Sequence, residues 1–166
     1  MWTLSWRSDP AGVVIADRHY NRQSIGAPNF VPPGRCVVLI RGGALWVTSW
    51  PFAEYVRHAW GGAWVNSTFR RESGSEKASA LITHAVACTR GIFGDPPELG
   101  MVSFVNPEKV QGVRRRGSMI YGYCYLMAGW EHVGYTQGGL WAWQLRPDRM
   151  PPAREPSGMQ RELELE

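Results

Sequence analysis

The chain has no run of about 18 apolar residues that would span a membrane, and its first residues lack the charged, apolar and small-residue pattern of a signal segment. A soluble, cytoplasmic protein with no membrane partner is expected. Cysteine is scarce. Cys36, Cys88 and Cys124 are odd in number, widely spaced and set in apolar runs, which argues against a disulfide framework and for reduced core residues. There is no Cys-x-x-Cys, and His19, His58, His84 and His132 have no paired ligand spacing. Local motifs therefore give no metal site, although one assembled from distant residues stays open. The G-x-S-x-G elbow of a Ser-His-Asp hydrolase is also missing, and no internal repeat is visible.

What is present is a basic, tryptophan-rich chain. At 166 residues it fits one domain with a sizeable core. The net charge of +4 comes from arginine, and Arg114, Arg115 and Arg116 are expected to sit in one loop. Arginine pairs bidentately with phosphate, so this balance suits nucleic acid, although a solvated loop is the commoner explanation of one triplet. The nine tryptophans exceed what core packing usually demands, and aromatic rings among arginines are what unstacked bases lie on. Taken singly, most of these rings are still better explained as core.

Apolar patterning predicts a hairpin from Cys36 to Ile40 and Ala44 to Trp50, turning at Arg41-Gly42-Gly43, and an irregular stretch with a helical turn from Pro51 to Gly62. A strand follows from Ala63 to Phe69. A helix from Ser75 to Arg90 opens on the capping box Ser73-x-x-Glu76 and stops at Gly91. Leu99 to Val105 reads as a buried strand, Ser118 to Ala128 as a helix, and Trp130 to Thr136 and Leu140 to Leu145 as two strands. The expected architecture is α/β, with helices on a mixed sheet over residues 1–146. A Pro-rich, then acidic, tail at 147–166 need not join the fold.

Several residue types in this layout carry chemistry. A strand that breaks into a Gly/Ser loop before a helix leaves backbone N–H groups free for an anion, which marks Arg71, Ser73, Gly74 and Ser75 as a candidate ligand site. His19 is placed to move protons near neutral pH, with the phenol of Tyr20 beside it. Asn106 ends the strand expected to run parallel to the one carrying Asn66, so both amides converge on one cleft. Tyr121 and Tyr125, four apart on the last predicted helix, share a flank.

These segments, in this order over residues 17–136, resemble the Mom family of phage DNA-modification proteins typified in bacteriophage Mu, a divergent branch of the GNAT acyltransferase fold. The matching pieces are His19-Tyr20-Asn21, Val47-Thr48-Ser49-Trp50, Asn66, Ser75-Glu76-Lys77-Ala78, Ser103-Phe104 and Tyr125-x-x-Ala128-Gly129-Trp130. Arg71-x-x-Gly74 reproduces half of the GNAT pyrophosphate loop R/Q-x-x-G-x-G/A, and Glu76 stands where the second small residue belongs. The family's own loop is similarly degenerate. Where the type member has an Asp after the Ser-Phe strand, this chain has Asn106. An amide cannot act as a general base, so that role shifts to His19 or Asn106 only orients the substrate.

The resemblance implies a GNAT-like fold with a central mixed sheet. It implies modification of the exocyclic amine of adenine in double-stranded DNA with a carbamoylmethyl-type group, which blocks restriction enzymes in the host cytoplasm. His19, Tyr20, Tyr125 and Asn106 become the candidate catalytic residues. Arg71, Ser73, Gly74 and Ser75 would take a small-molecule donor, acyl-CoA or another; Trp50, Asn66 and Arg114 to Arg116 would hold DNA. The protein would act as a monomer or homodimer. Two alternatives stand beside this: a GNAT N-acetyltransferase for a small amine or protein, and a non-catalytic DNA-binding or antirestriction protein.

Overall fold

A computed structural model describes residues 1–51 and 56–158. The expected irregular stretch from Pro51 to Gly62 falls partly, and the acidic end of the tail wholly, outside them. The chain forms β1 (Thr3–Leu4), α1 (Pro10–Ala16), β2 (Arg35–Arg41), β3 (Ala44–Trp50), β4 (Trp64–Arg71), α2 (Ala78–Phe93) and β5 (Met101–Val105). It continues through β6 (Val113–Arg115), β7 (Ser118–Ile120), α3 (Tyr123–Met127), β8 (Glu131–Tyr135) and β9 (Trp141–Leu145). Seven strands make one mixed sheet in the order β1-β2-β3-β4-β5-β9-β8, and β6 and β7 pair separately. Only β4 and β5 run parallel among the described strands. None of the described helices is long and apolar enough to cross a membrane.

Alternation along the strands sends side chains to two cores. On one face Val38, Leu45 and Val47 meet Ile15 and Ala16 of α1 and Phe30 of the loop that follows it. On the other, Val37, Leu39, Trp46, Trp64 and Trp143 pack against Leu81, Ile82, Ala85 and Val86 of α2. Five of the nine tryptophans, Trp2, Trp46, Trp64, Trp130 and Trp143, are fully buried. Most of the tryptophan excess therefore builds core, and truncating any one of them is expected to cost about 3–5 kcal/mol.

Sequence and structure part at several points. The helix expected from Ser75 begins at Ala78 behind an uncapped Lys77, because Ser73 is not its cap and Glu76 instead pairs with Arg41 on the hairpin. Nor does it stop at Gly91. It runs to Phe93 and ends at Gly94. Gly91 serves close approach: a Cβ there would run into the backbone carbonyl of Arg154. That contact belongs to the segment expected to trail free. Arg154 N–H donates to Ala87 O at 3.0 Å, Leu4 N–H to Ser157 O at 2.8 Å and Ser157 N–H to Trp2 O at 3.0 Å, so residues 147–158 strap α2 to β1.

The helix expected over Ser118–Ala128 divides. Its first part is β7, and Gly122 (φ 98°) breaks the chain before the short α3. Gly122 also lies against the Trp143 indole, where a side chain would collide. Tyr121 is therefore not on the helix that carries Tyr125.

Candidate active site where the parallel strands part

β4 and β5 pair at Trp64↔Met101, Val65↔Val102 and Asn66↔Ser103, and beyond that ladder they are unpaired. The carboxyl ends of parallel strands are where open sheets leave room for ligands. Here the opening holds a cleft in two lobes. One, of about 740 Å³, is walled by Val65, Ser67 and Thr68 of β4 and by the loop after α1. The other, of about 480 Å³, lies towards α3 and takes in His19, Arg70, Arg71, Ser103 and Tyr125. Tyr20, Ser67, Phe104 and Lys109 line both.

His19 and Tyr20 reach the cleft because the chain turns at the end of α1, where His19 N–H donates to Ala16 O at 3.0 Å. Their rings stack with centroids 4.5 Å apart. His19 Nδ1 contacts the Asn21 side chain, and Asn21 Nδ2 donates to Ser67 O, which ties the pair to β4. Burial holds the His19 imidazole below its ordinary pKa, with the Arg70 charge adding to the effect against the opposing Asn21 bond. The neutral form of the ring is thereby favoured. Burial raises Tyr20, whose hydroxyl accepts a 3.3 Å bond from Asn106 N–H. The end of β5 thus meets the His19–Tyr20 pair. Asn106 Oδ1 is engaged in a local turn, accepting from Glu108 N–H at 3.0 Å.

Asn66 is built differently. A register shift between Val47 and Thr48 leaves Ser67 as an extra residue in β4, and the Asn66 amide braces that bulge. Its Nδ2 donates to Val47 O at 2.9 Å and Thr68 O at 3.0 Å, while Oδ1 accepts from Tyr125 Oη at 2.6 Å and lies 3.1 Å from Ser103 Oγ. At 2% exposure, with both amide hydrogens committed, Asn66 is not free to read a base edge. Tyr125 is buried, and burial pushes its phenol well above the ordinary value, so it remains protonated. Ser103 completes this network. Its signal was a lone hydroxyl in an otherwise apolar strand.

The other expected residues lie apart. Trp50 ends β3, which is antiparallel to β4, so it sits at the far end of the sheet, edge-on to Trp64 and beneath Arg35. It cannot stack on a base in the cleft. Arg114 and Arg115 belong to β6 and Arg116 to its turn, rather than to a loop; all three are exposed and line neither lobe. Arg115 does bond Tyr123 Oη at 2.7 Å, and Tyr123 borders the smaller lobe. Ser73, Gly74 and Ser75 are exposed outside both lobes. Beside them the loop carboxylates are matched by arginine: Glu72 lies 2.6 Å from Arg18, Glu76 pairs with Arg41, and Arg71 donates to Glu76 O. Among the described residues no side chain caps α2, so the N–H groups of its first turn, from Ala78 onward and just past this loop, are left open to an anion. Lys109 and Arg70, not singled out by the sequence, add positive charge to the cleft wall.

Comparison of the chain with family models, with curated proteins and with solved structures finds no match.

Proposed function

We propose that this protein is a group-transfer enzyme of GNAT-like fold that modifies the exocyclic amine of adenine in DNA with a carbamoylmethyl-type group, protecting that DNA from restriction. The observation that carries the reading is the meeting of His19, Tyr20 and Asn106 where the parallel strands β4 and β5 open. The strand order, with that pair at its centre, supports the fold assignment.

The amine of adenine is conjugated with its ring and is a poor nucleophile, so it must lose a proton as it attacks. A neutral His19 is suited to take that proton, and Tyr20, kept protonated by burial, is suited to donate a hydrogen bond to the base or the reacting group. Gln23 lines the larger lobe and has no hydrogen-bond partner among the described residues, so its amide is available to an adenine edge. It replaces Asn66 in that role. A phosphate-bearing donor such as an acyl-CoA fits Arg71 and the Ser73–Ser75 backbone, and when bound it would supply the activated group.

Nucleoside digestion and mass spectrometry of DNA from bacteria expressing the protein should reveal a mass-shifted deoxyadenosine. Unmodified nucleosides from well-expressing cells would sink the reading. The uncapped helix beside Arg71 also favours an acyl-CoA-dependent N-acetyltransferase for a small amine or protein. Intact-mass assays with acetyl-CoA and a panel of polyamines and aminoglycosides separate the two.

A further inference from the structure

Resting on that reading, we propose that Ile25 is the wedge that enters the DNA stack and holds the target adenine out of the duplex, in the larger lobe. Single exposed apolar residues are ordinary on protein surfaces, so exposure alone carries nothing. Placement and support do. Ile25 is 79% exposed, the highest value among the described large hydrophobics. It directly follows Gln23 and Ser24, which line the larger lobe, and precedes Ala27, which lines it too. The turn that bears this exposed apolar residue therefore borders the cleft that would receive the base.

The turn that carries it is braced from beneath. Arg22 keeps its side chain only 8% exposed and donates from Nε to Asp17 Oδ1 at 2.9 Å, while its guanidinium also bonds the carbonyls of Ala27 and Asn29. Asp17 Oδ1 accepts a second bond from Gly26 N–H at 3.0 Å, and Ala27 N–H closes the turn onto Ser24 O at 3.1 Å. Gly26, at φ 82°, supplies the left-handed residue the reversal needs. Two charged groups so nearly spent on a surface turn make it a fixed projection. Proteins that unstack DNA insert isoleucine, leucine, methionine or phenylalanine between base steps in this way. The occupant is duplex DNA: Lys109 on the lobe wall supplies charge for its backbone, and the lobe volume of about 740 Å³ admits a nucleobase.

The test uses the purified full chain and a set of duplexes, each with one 2-aminopurine in place of adenine in varied flanking sequence. Wild-type protein should raise the fluorescence of paired 2-aminopurine, Ile25→Ala should require about tenfold more protein to do so, and Ile25→Met should behave as wild type, since either apolar side chain can fill the gap. Opposite an abasic site, or in a single strand, Ile25→Ala should match wild type, because no pair has to be broken. A wild-type protein that leaves every duplex dark overturns the wedge. So does an Ile25→Ala variant that equals wild type on paired DNA, or that is weakened as much on unpaired as on paired DNA. Mass spectrometry of nucleosides from expressing cells reports separately on the enzyme: modified deoxyadenosine undiminished in Ile25→Ala removes the wedge and leaves the function, whereas none in wild type removes the function itself.

Discussion

The two walls of the cleft contrast in how their polar groups are used. On the inner wall, Asn66, Ser103 and Tyr125 are buried and bonded chiefly to one another and to strand carbonyls. On the outer wall, His19, Tyr20 and Asn106 are partly open, and Tyr20 keeps 38% of its surface exposed. A saturated network fixes geometry and has little left to offer a substrate, while a half-satisfied group at a cleft keeps bonds to give. The inner wall should therefore hold the fold, and the outer wall should do the chemistry.

The sharpest way to break this contrast is to remove the outer pair. His19→Ala and Tyr20→Phe should each lower DNA modification by about 100- to 10,000-fold with the thermal unfolding midpoint little changed. Wild-type activity in both soluble variants would move catalysis to Tyr125 and reverse the roles of the walls. The pH profile sharpens the same point. If His19 is the proton acceptor proposed above it works in its neutral form, and since burial holds its pKa below the ordinary 6.5 the acid limb of kcat/KM should fall below pH 6.5. Tyr20 is raised above 10.0, which puts any alkaline limb beyond that value. Because the folded state resists protonating His19, its contribution to stability is fully present above pH 6.5 and is lost as pH falls towards the depressed value. Replacing His19 should abolish the acid limb of any residual activity.

The inner wall should answer with stability. Asn66→Leu leaves Val47 O and Thr68 O buried without the side-chain donor that braced them, at roughly 1–3 kcal/mol for each unsatisfied group. Against a typical total of about 5–15 kcal/mol, urea unfolding should show a large loss or no folded protein. A variant as stable as wild type would mean that the bulge at Ser67 stands without its brace.

This split was only half legible in the sequence. The strands and α2 were, because apolar residues at period 2 or 3.6 report burial directly, and Asn106 was rightly placed near the end of a strand parallel to that of Asn66. Whether an asparagine is free or saturated was not legible. Asn66 and Asn106 are the same residue type, and what separates them is a one-residue register shift that no local pattern announces. Trp50 misled for a related reason: strand direction decides which end of the sheet a terminal residue occupies, and direction is a tertiary fact. Gly91 read as a helix stop because its true partner, Arg154, lies far along the chain. The hairpin of β6 and β7 escaped notice because three-residue strands are too short to show alternation.

The smallest expected effect lies outside both walls, on that hairpin. Arg114, Arg115 and Arg116 are exposed, and among the described residues none forms an ion pair with a carboxylate. Arg115 is held over the Tyr123 ring at 5.6 Å, and Tyr123 borders the cleft, so the hairpin stands beside the cleft mouth. If the three bind phosphate, changing all of them to Ala should weaken DNA binding across sequences and flatten the slope of log affinity against log salt by roughly 0.9 for each phosphate no longer neutralised. Sequence preference should survive, because phosphate contacts position a protein and base-edge contacts specify it. A preference that disappears along with affinity would mean that the hairpin reads bases. An unchanged salt slope would mean that the arginines are merely solvated, and would weaken the nucleic-acid reading as a whole.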